Sequence, residues 1–178
     1  MYEQRRRWRE AAGAYAQAVA LNPRNASVRR RLAGALLEFG EIDRARVVLQ
    51  ELVEMRPRDA ASLHLLAEVE LELNNFTSTE SIARQLVELE PEGLRGPFVL
   101  AQVHSRRREH QAVVDTLQPV VDAARARDVR PDRLARSIAL LGFAYGQLGD
   151  FEAAIQIYEA AIEEMPNNLA FQTRLARA

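Results

Sequence analysis

Apolar residues recur along this chain at steps of three and four over stretches of about 14 residues, and each stretch is broken by a short polar turn such as Gly40-Glu41 or Gly149-Asp150. That spacing puts one apolar stripe on each stretch, so the pattern predicts successive amphipathic helices. A slower rhythm is carried by proline. Pro23, Pro57 and Pro91 are evenly spaced, within Leu-Asn-Pro-Arg-Asn, Met-Arg-Pro-Arg-Asp and Leu-Glu-Pro-Glu-Gly. Proline lacks an N–H donor and its ring clashes with the preceding turn, so a helix ends just before each. The Asn, Asp or Gly that follows suits a tight turn and a fresh N-cap. Each period therefore reads as a pair of helices. Pro166 lies beyond Pro91 by two periods plus seven, so one period carries an insertion.

The segment 135–168 carries Ile138, Leu141-Gly142, Tyr145, Gly149-Asp150-Phe151, Ala154, Tyr158, Ala161 and Pro166. In this order of large, small and aromatic positions it resembles a tetratricopeptide repeat. Small residues such as Gly142 and Ala154 let two helices approach, and large ones fill the gap beside them. Stepping back by the period, 26–59 gives Leu32-Ala33, Leu36, Gly40, Ile42, Ala45, Leu49, Leu52 and Pro57. Segment 60–93 stays in register, with Glu70 where Tyr145 sits and Thr79 where Ala154 sits. Segment 94–134 has Pro97 and His104 at usually apolar places and holds the insertion. Its second helix is expected to run on through 123–127 until Pro131-Asp132 opens the next pair, with a kink at Pro119. Segment 1–25 matches the second half of a repeat, with Tyr2 as the aromatic of a mostly missing first helix, and 169–178 reads as the start of a sixth unit or a capping helix. The resemblance implies an all-α, right-handed superhelical solenoid of antiparallel helix pairs over 1–178, cut from a longer array at both ends.

Composition narrows the function classes. With 48% hydrophobic and 28% charged residues the chain is an ordinary folded one, and a net charge of -1 gives no global field to draw in nucleic acid or an acidic membrane surface. There is no cysteine, which excludes disulfides, thiolate metal sites and cysteine nucleophiles and leaves the compartment open. No apolar run approaches the roughly 18 residues of a membrane span, and Met1 to Arg9 lacks the apolar middle of a secretory signal. All 24 basic residues are Arg, a usage that points to a GC-rich, bacterial genome before it points to guanidinium chemistry. Arg triplets at Arg5–Arg7, Arg29–Arg31 and Arg106–Arg108 invite a nucleic-acid reading, but stacking aromatics are scarce and two of the triplets are expected at solvated bends. Charge alternates by segment: 60–93 holds seven acids and one Arg, 94–134 eight Arg and five acids, 135–168 five acids and one Arg. Complementary neighbours and a patterned docking surface both fit that alternation.

No Ser, His and acid set or phosphate loop can be placed, with Gly142 and Gly146 read as helical packing positions, so nothing asks for catalysis or a cofactor. His64 and Glu68 form an i, i+4 pair that reads as a surface pair unless a third metal ligand joins it; His104 and His110 are read as packing or capping. By the resemblance, the first helix of each pair lines a concave face that takes a peptide or partner helix. The register then turns Arg30, His64, Phe98 and Ala139 inward as one row, Gly34, Glu68, Gln102 and Phe143 as the next, with Arg95, Arg106, Arg136 and Gln147 beside them. Phe98 and Phe143 are either interface anchors or residues covered by curvature or the insertion. Arg95, Arg106 and Arg136 are suited to grip a partner's carboxylates. The family's Lys and Asn clamp for a C-terminal carboxylate is not reproduced, since Arg30 with Gly34 and His64 with Glu68 stand in its place. The expected function is protein–protein interaction, with self-association through the array ends as the alternative and nucleic-acid binding behind both.

Overall fold

The structure, a computed structural model, describes residues 2–176, without the side chains at 2, 3, 5 and 133. The expectations for the ring of Tyr2, for Arg5 and for the last two residues lie outside the described residues. Among those described, the chain forms ten α-helices and no strand, and it divides into two compact units, Met1–Ile82 and Ala83–Ala178.

The first unit holds α1 (Tyr2–Leu21), α2 (Ala26–Phe39), α3 (Ile42–Met55), α4 (Ala60–Glu72) and the opening of α5 (Phe76–Leu89). In it α1 packs on α2, α2 on α3 and α3 on α4. Ala12, Leu32, Ala35, Leu36 and Ala45 form one core, closed over by Tyr15, Val19 and Val48; its alanines allow close approach and its leucines fill the space beside them. Asn25 caps α2 by accepting from the Val28 N–H at 3.2 Å. One period before the Gly40 turn stands Arg6, yet α1 runs through it as a single 20-residue helix. The expected break between a partial first helix and a second one does not occur. The segment is rich in Arg, Glu, Gln and Ala and holds no proline before Pro23, so nothing in it stops a helix. The same helicity corrects the placing of the Arg triplets: Arg5–Arg7 lies within α1 and Arg29–Arg31 within α2, and the one triplet at a bend is Arg106–Arg108.

The second unit holds the rest of α5, then α6 (Arg95–Arg106), α7 (His110–Ala126), α8 (Pro131–Leu148), α9 (Phe151–Glu164) and α10 (Leu169–Leu175). The helices from α6 to α10 pack in succession, and α6 also touches α8. The core runs from Val113, Leu117 and Val121 of α7 through Leu134, Ile138 and Leu141 of α8 to Tyr158 and Ala161 of α9 and Phe171 of α10. At Gly142 a Cβ would overlap the Tyr158 ring, so this glycine is what lets α8 and α9 close.

The insertion appears as helix, not as loop. Residues 127–130 join α7 to α8, four residues as in the α3–α4 and α9–α10 connections. Instead α7 has 17 residues against 14 in α3, α5 and α9, and α8 has 18 against 14 in α2, which together account for the seven inserted positions. The added turns carry their own core, Ala124 and Leu134 being fully buried. They close through Asp128 at φ 55°, with the Val129 N–H on the Ala124 carbonyl at 3.0 Å. Pro119 stands exposed inside α7, which continues past it to Ala126; its side faces solvent, where water can take the carbonyl that the ring leaves unbonded.

The turns inside the helix pairs recur at Gly40, Asn74, Arg108 and Gly149, all with positive φ. Arg108 pays for its Cβ there, so Arg108→Gly should raise unfolding stability by up to about 1 kcal/mol. Gly142→Ala should lower it by about 1–3 kcal/mol through overlap with Tyr158. Urea denaturation of both variants checks the two signs.

Candidate functional site

In the first unit the residues singled out from the sequence are engaged in charge pairs. Arg30 Nη1 lies 3.4 Å from Asp59 Oδ1, and the other oxygen of Asp59 accepts from the Ser62 hydroxyl at 2.7 Å. His64 Nε2 and Glu68 Oε1 stand 3.5 Å apart on α4. Among the described residues no group of three His, Cys, Asp or Glu side chains is placed to hold a metal ion.

In the second unit the two phenylalanines part company. Phe98 is 8% exposed and lies beneath the Arg136 guanidinium, 4.7 Å from the ring centroid, which joins α6 to α8 by a cation–π contact. Phe143 is 43% exposed and meets the His110 ring edge-on at 6.0 Å. Gln102 is half-buried with no partner for its Oε1, Arg95 is tied to Glu90 at 2.8 Å, and Arg106 and Gln147 are exposed.

Phe143 and Gln147 share a cleft of about 460 Å³ with Gly142, Gly146, Phe151, Tyr158 and Arg174, formed by α8, α9 and α10. Its floor corrects the reading of Gly146 as a packing residue: a Cβ there would meet nothing within 4 Å. Residues at the same register position in earlier periods are Leu37, Leu71 and Ser105, so the cleft is the space of a side chain that this period omits. Phe151, 54% exposed, forms an apolar wall, and Arg174 brings a cation; among the described residues no acid lines the cleft. Sequence reasoning missed Gly146, Phe151 and Arg174 as cleft residues. The column Leu, Leu, Ser, Gly was the signal available for the first.

A second departure from the repeat also has a structural answer. Glu70, at the position of Tyr145, is 1% exposed, and both its oxygens are taken by Arg46 of α3, at 2.8 and 3.2 Å, with Asn75 donating at 2.7 Å. The hydrogen bond and charge of Glu70 push the Arg46 guanidinium above its ordinary pKa. At the same register His104 Nδ1 pairs with Glu109 at 2.6 Å, and the Tyr145 hydroxyl donates to Gln118 Oε1 at 2.8 Å. These three periods thus carry a different, partnered polar group at the position that Leu36 fills with an apolar side chain. Because Glu70 is buried and Arg46 is not, Arg46→Ala should destabilise more than Glu70→Leu, which strands only a solvated cation. Their urea midpoints decide the order.

Burial raises the pKa of Tyr145, helped by the charges of Asp150, Asp122 and Asp115, and burial raises that of Tyr158 against the opposing Arg174. Raised phenols favour the neutral form in the fold, so their contribution to stability is full below pH 10 and is lost as pH climbs through the raised values. Ultraviolet titration should show Tyr145→Phe and Tyr158→Phe each deleting a transition from above pH 10.

A family model described as Tetratricopeptide repeat matches residues 3–69, and another of the same description matches 135–168, together more than half of the chain. No curated protein matches the sequence. Among solved structures, a thermophilic TPR protein of Thermus thermophilus aligns with a TM-score of 0.78 at 19% identity, over 96% of this chain and 90% of its own. MamA from Desulfovibrio magneticus RS-1 aligns with a TM-score of 0.63 at 20% identity, over 84% and 81%. YrrB, a TPR protein with an unusual peptide-binding site, aligns with a TM-score of 0.62 at 16% identity, over 93% and 81%. At these identities the likeness is one of fold, and the fold is the all-α helix-pair array expected from the sequence. No helix among the described residues is long and apolar enough to cross a membrane.

Proposed function

The chain belongs to the tetratricopeptide repeat family, and on that premise we propose that it is a protein-interaction scaffold, without chemistry of its own, whose second unit holds a segment of a partner protein along α6, α8 and α10. The observation that carries this reading is the cleft at Gly146. An exposed apolar cleft with two half-open phenylalanines costs solvation in the free protein and gains most when a partner's apolar side chain fills it. Arg174 and Gln147 supply polar contacts at its walls. Arg136, Phe143 and Gln147 follow one another on α8 at helical spacing, so a bound segment that enters the cleft also passes Arg136 and the Phe98 ring below it. Gln102, half-buried on α6, is given to the same segment as a polar contact beside Phe98. The same reading gives Arg95 and Arg106 to a partner's carboxylates, and in the first unit it gives Arg30, His64 and Glu68 to partner contacts made in exchange for the charge pairs already present.

Gly146→Leu separates binding from folding. A leucine there enters open space and replaces a poor helix former, so stability should rise by about 1 kcal/mol while the cleft closes. Peptides selected from a displayed random library on the wild-type protein should lose about tenfold or more in affinity on Gly146→Leu and on Phe143→Ala, with unchanged circular dichroism. Selected peptides that bind Gly146→Leu as tightly as wild type would remove the cleft from the binding site.

A further inference from the structure

The second unit answers several of its arginines with acids of its own. Arg95 faces Glu90, Arg127 faces Glu92 and Arg130 faces Asp132. Where the lengthened α7 opens a second pocket, of about 300 Å³ among α7, α8 and α9, Arg125 lines it together with Tyr145 and is answered by Glu164 at 3.0 Å. Arg174 has no such acid. It is exposed on α10, it lines the Gly146 cleft, and among the described residues no carboxylate pairs with it.

Its guanidinium is placed by Tyr158. Arg174 acts on that hydroxyl by charge and by hydrogen bonding, both of which lower the phenol's pKa against the burial that raises it. The hydroxyl in turn stands 2.7 Å from where a Gly142 Cβ would be. The cation therefore lies at the Gly142 end of the cleft, one turn before the void at Gly146 on the same face of α8, about 6 Å along the helix. The sign of the field is uniform there: no acid acts on Tyr158, whereas Asp150, Asp122 and Asp115 all act on Tyr145.

These conditions select the occupant. A cationic side chain would gain from the rings of Phe143 and Phe151 but meet the charge of Arg174. A purely apolar segment would fill the void and leave the guanidinium unanswered. An apolar side chain accompanied by a carboxylate satisfies both ends of the cleft. Side chains on one face of a segment stand about 6–7 Å apart at i, i+2 when it is extended and about 6 Å at i, i+4 when it is helical, which matches the separation of void and cation. The carboxylate grip so formed lies outside the clamp row of Arg30 and His64, whose equivalent on α10 is Thr173, with its hydroxyl donating to the Leu169 carbonyl at 3.0 Å.

Resting on the reading of the Gly146 cleft as a partner site, we propose that its occupant is an acidic segment of a partner protein, with a large apolar side chain in the void and an Asp or Glu of the same face on Arg174.

Display selection on the wild-type protein, followed by affinity measurements with the selected peptides synthesised with both ends blocked, tests it. The selected sequences should carry Asp or Glu at an offset of two or four from a large apolar residue. Replacing that acid by its amide should cost about tenfold, Arg174→Gln on the protein should cost the same, and the two together should cost little more than either alone. Arg174→Glu should turn the preference toward a peptide with Lys at that place. Arg174 is exposed, so both variants should keep the wild-type circular dichroism. Peptides weakened by Gly146→Leu that bind Arg174→Gln and Arg174→Glu as tightly as wild type overturn the carboxylate and leave the cleft as a partner site. Peptides indifferent to Gly146→Leu overturn both, as does a selection that yields none. Affinity that appears only when the peptide's C-terminus is left free overturns the side-chain carboxylate in favour of a chain end.

Discussion

A pair of antiparallel helices can share a core only if the chain reverses within a few residues and leaves no carbonyl of the first helix bare, and the structure meets that demand the same way each time. One residue takes positive φ, at Gly40, Asn74, Arg108 and Gly149. The next residue returns its N–H to a carbonyl five positions back, Glu41 to Leu36, Asn75 to Glu70, Glu109 to His104 and Asp150 to Tyr145, at 2.8 to 3.0 Å. The residues so joined through the backbone are in two cases joined again by side chains, Glu70 with Asn75 and His104 with Glu109. The turn is therefore what fixes the last buried position of each first helix, and what stands there is free to change provided that the turn residue or a neighbouring helix answers it.

That explains how far the sequence could be read. Periodic proline and apolar spacing reveal helices, their pairing and the seven-residue excess, because those depend on local backbone chemistry and on one stripe per helix. They do not reveal that Glu70 is satisfied, because Arg46 lies on another helix and nothing in the spacing links the two. For Phe98 and Phe143, in adjacent rows of one predicted face, exposure and cover were open alternatives; Arg136 covers Phe98, and its reach to α6 is a matter of side-chain conformation. The run of α1 through Arg6 shows the limit of matching by period: the register marks where a turn could fall, but without a helix-breaking residue the chain has no reason to turn.

The two pockets of the second unit arise from opposite edits to the same repeat. One comes from subtraction, a glycine at a position where Leu37 and Leu71 stand in earlier periods. The other comes from addition, an extra turn on α7 that carries Arg125 to the side of Tyr145. Because the added residues extend helices and leave the connection as short as its counterparts, the new surface is built on rigid elements and its polar groups are held in place. A loop of the same length would have offered the same side chains without fixing them.

The buried Glu70 has a further effect, on which helices recognise each other while the array assembles. Units that repeat a common core can mispair by one whole period at little cost in apolar contact. If α4 met the next second helix in place of α3, the position now filled by Arg46 would be filled by Glu80, its equivalent one period on, and a buried carboxylate would face another acid. The irregular period thus works as a key: it accepts one neighbour by charge and rejects the near-identical alternative, which the leucine at Leu36 could not do.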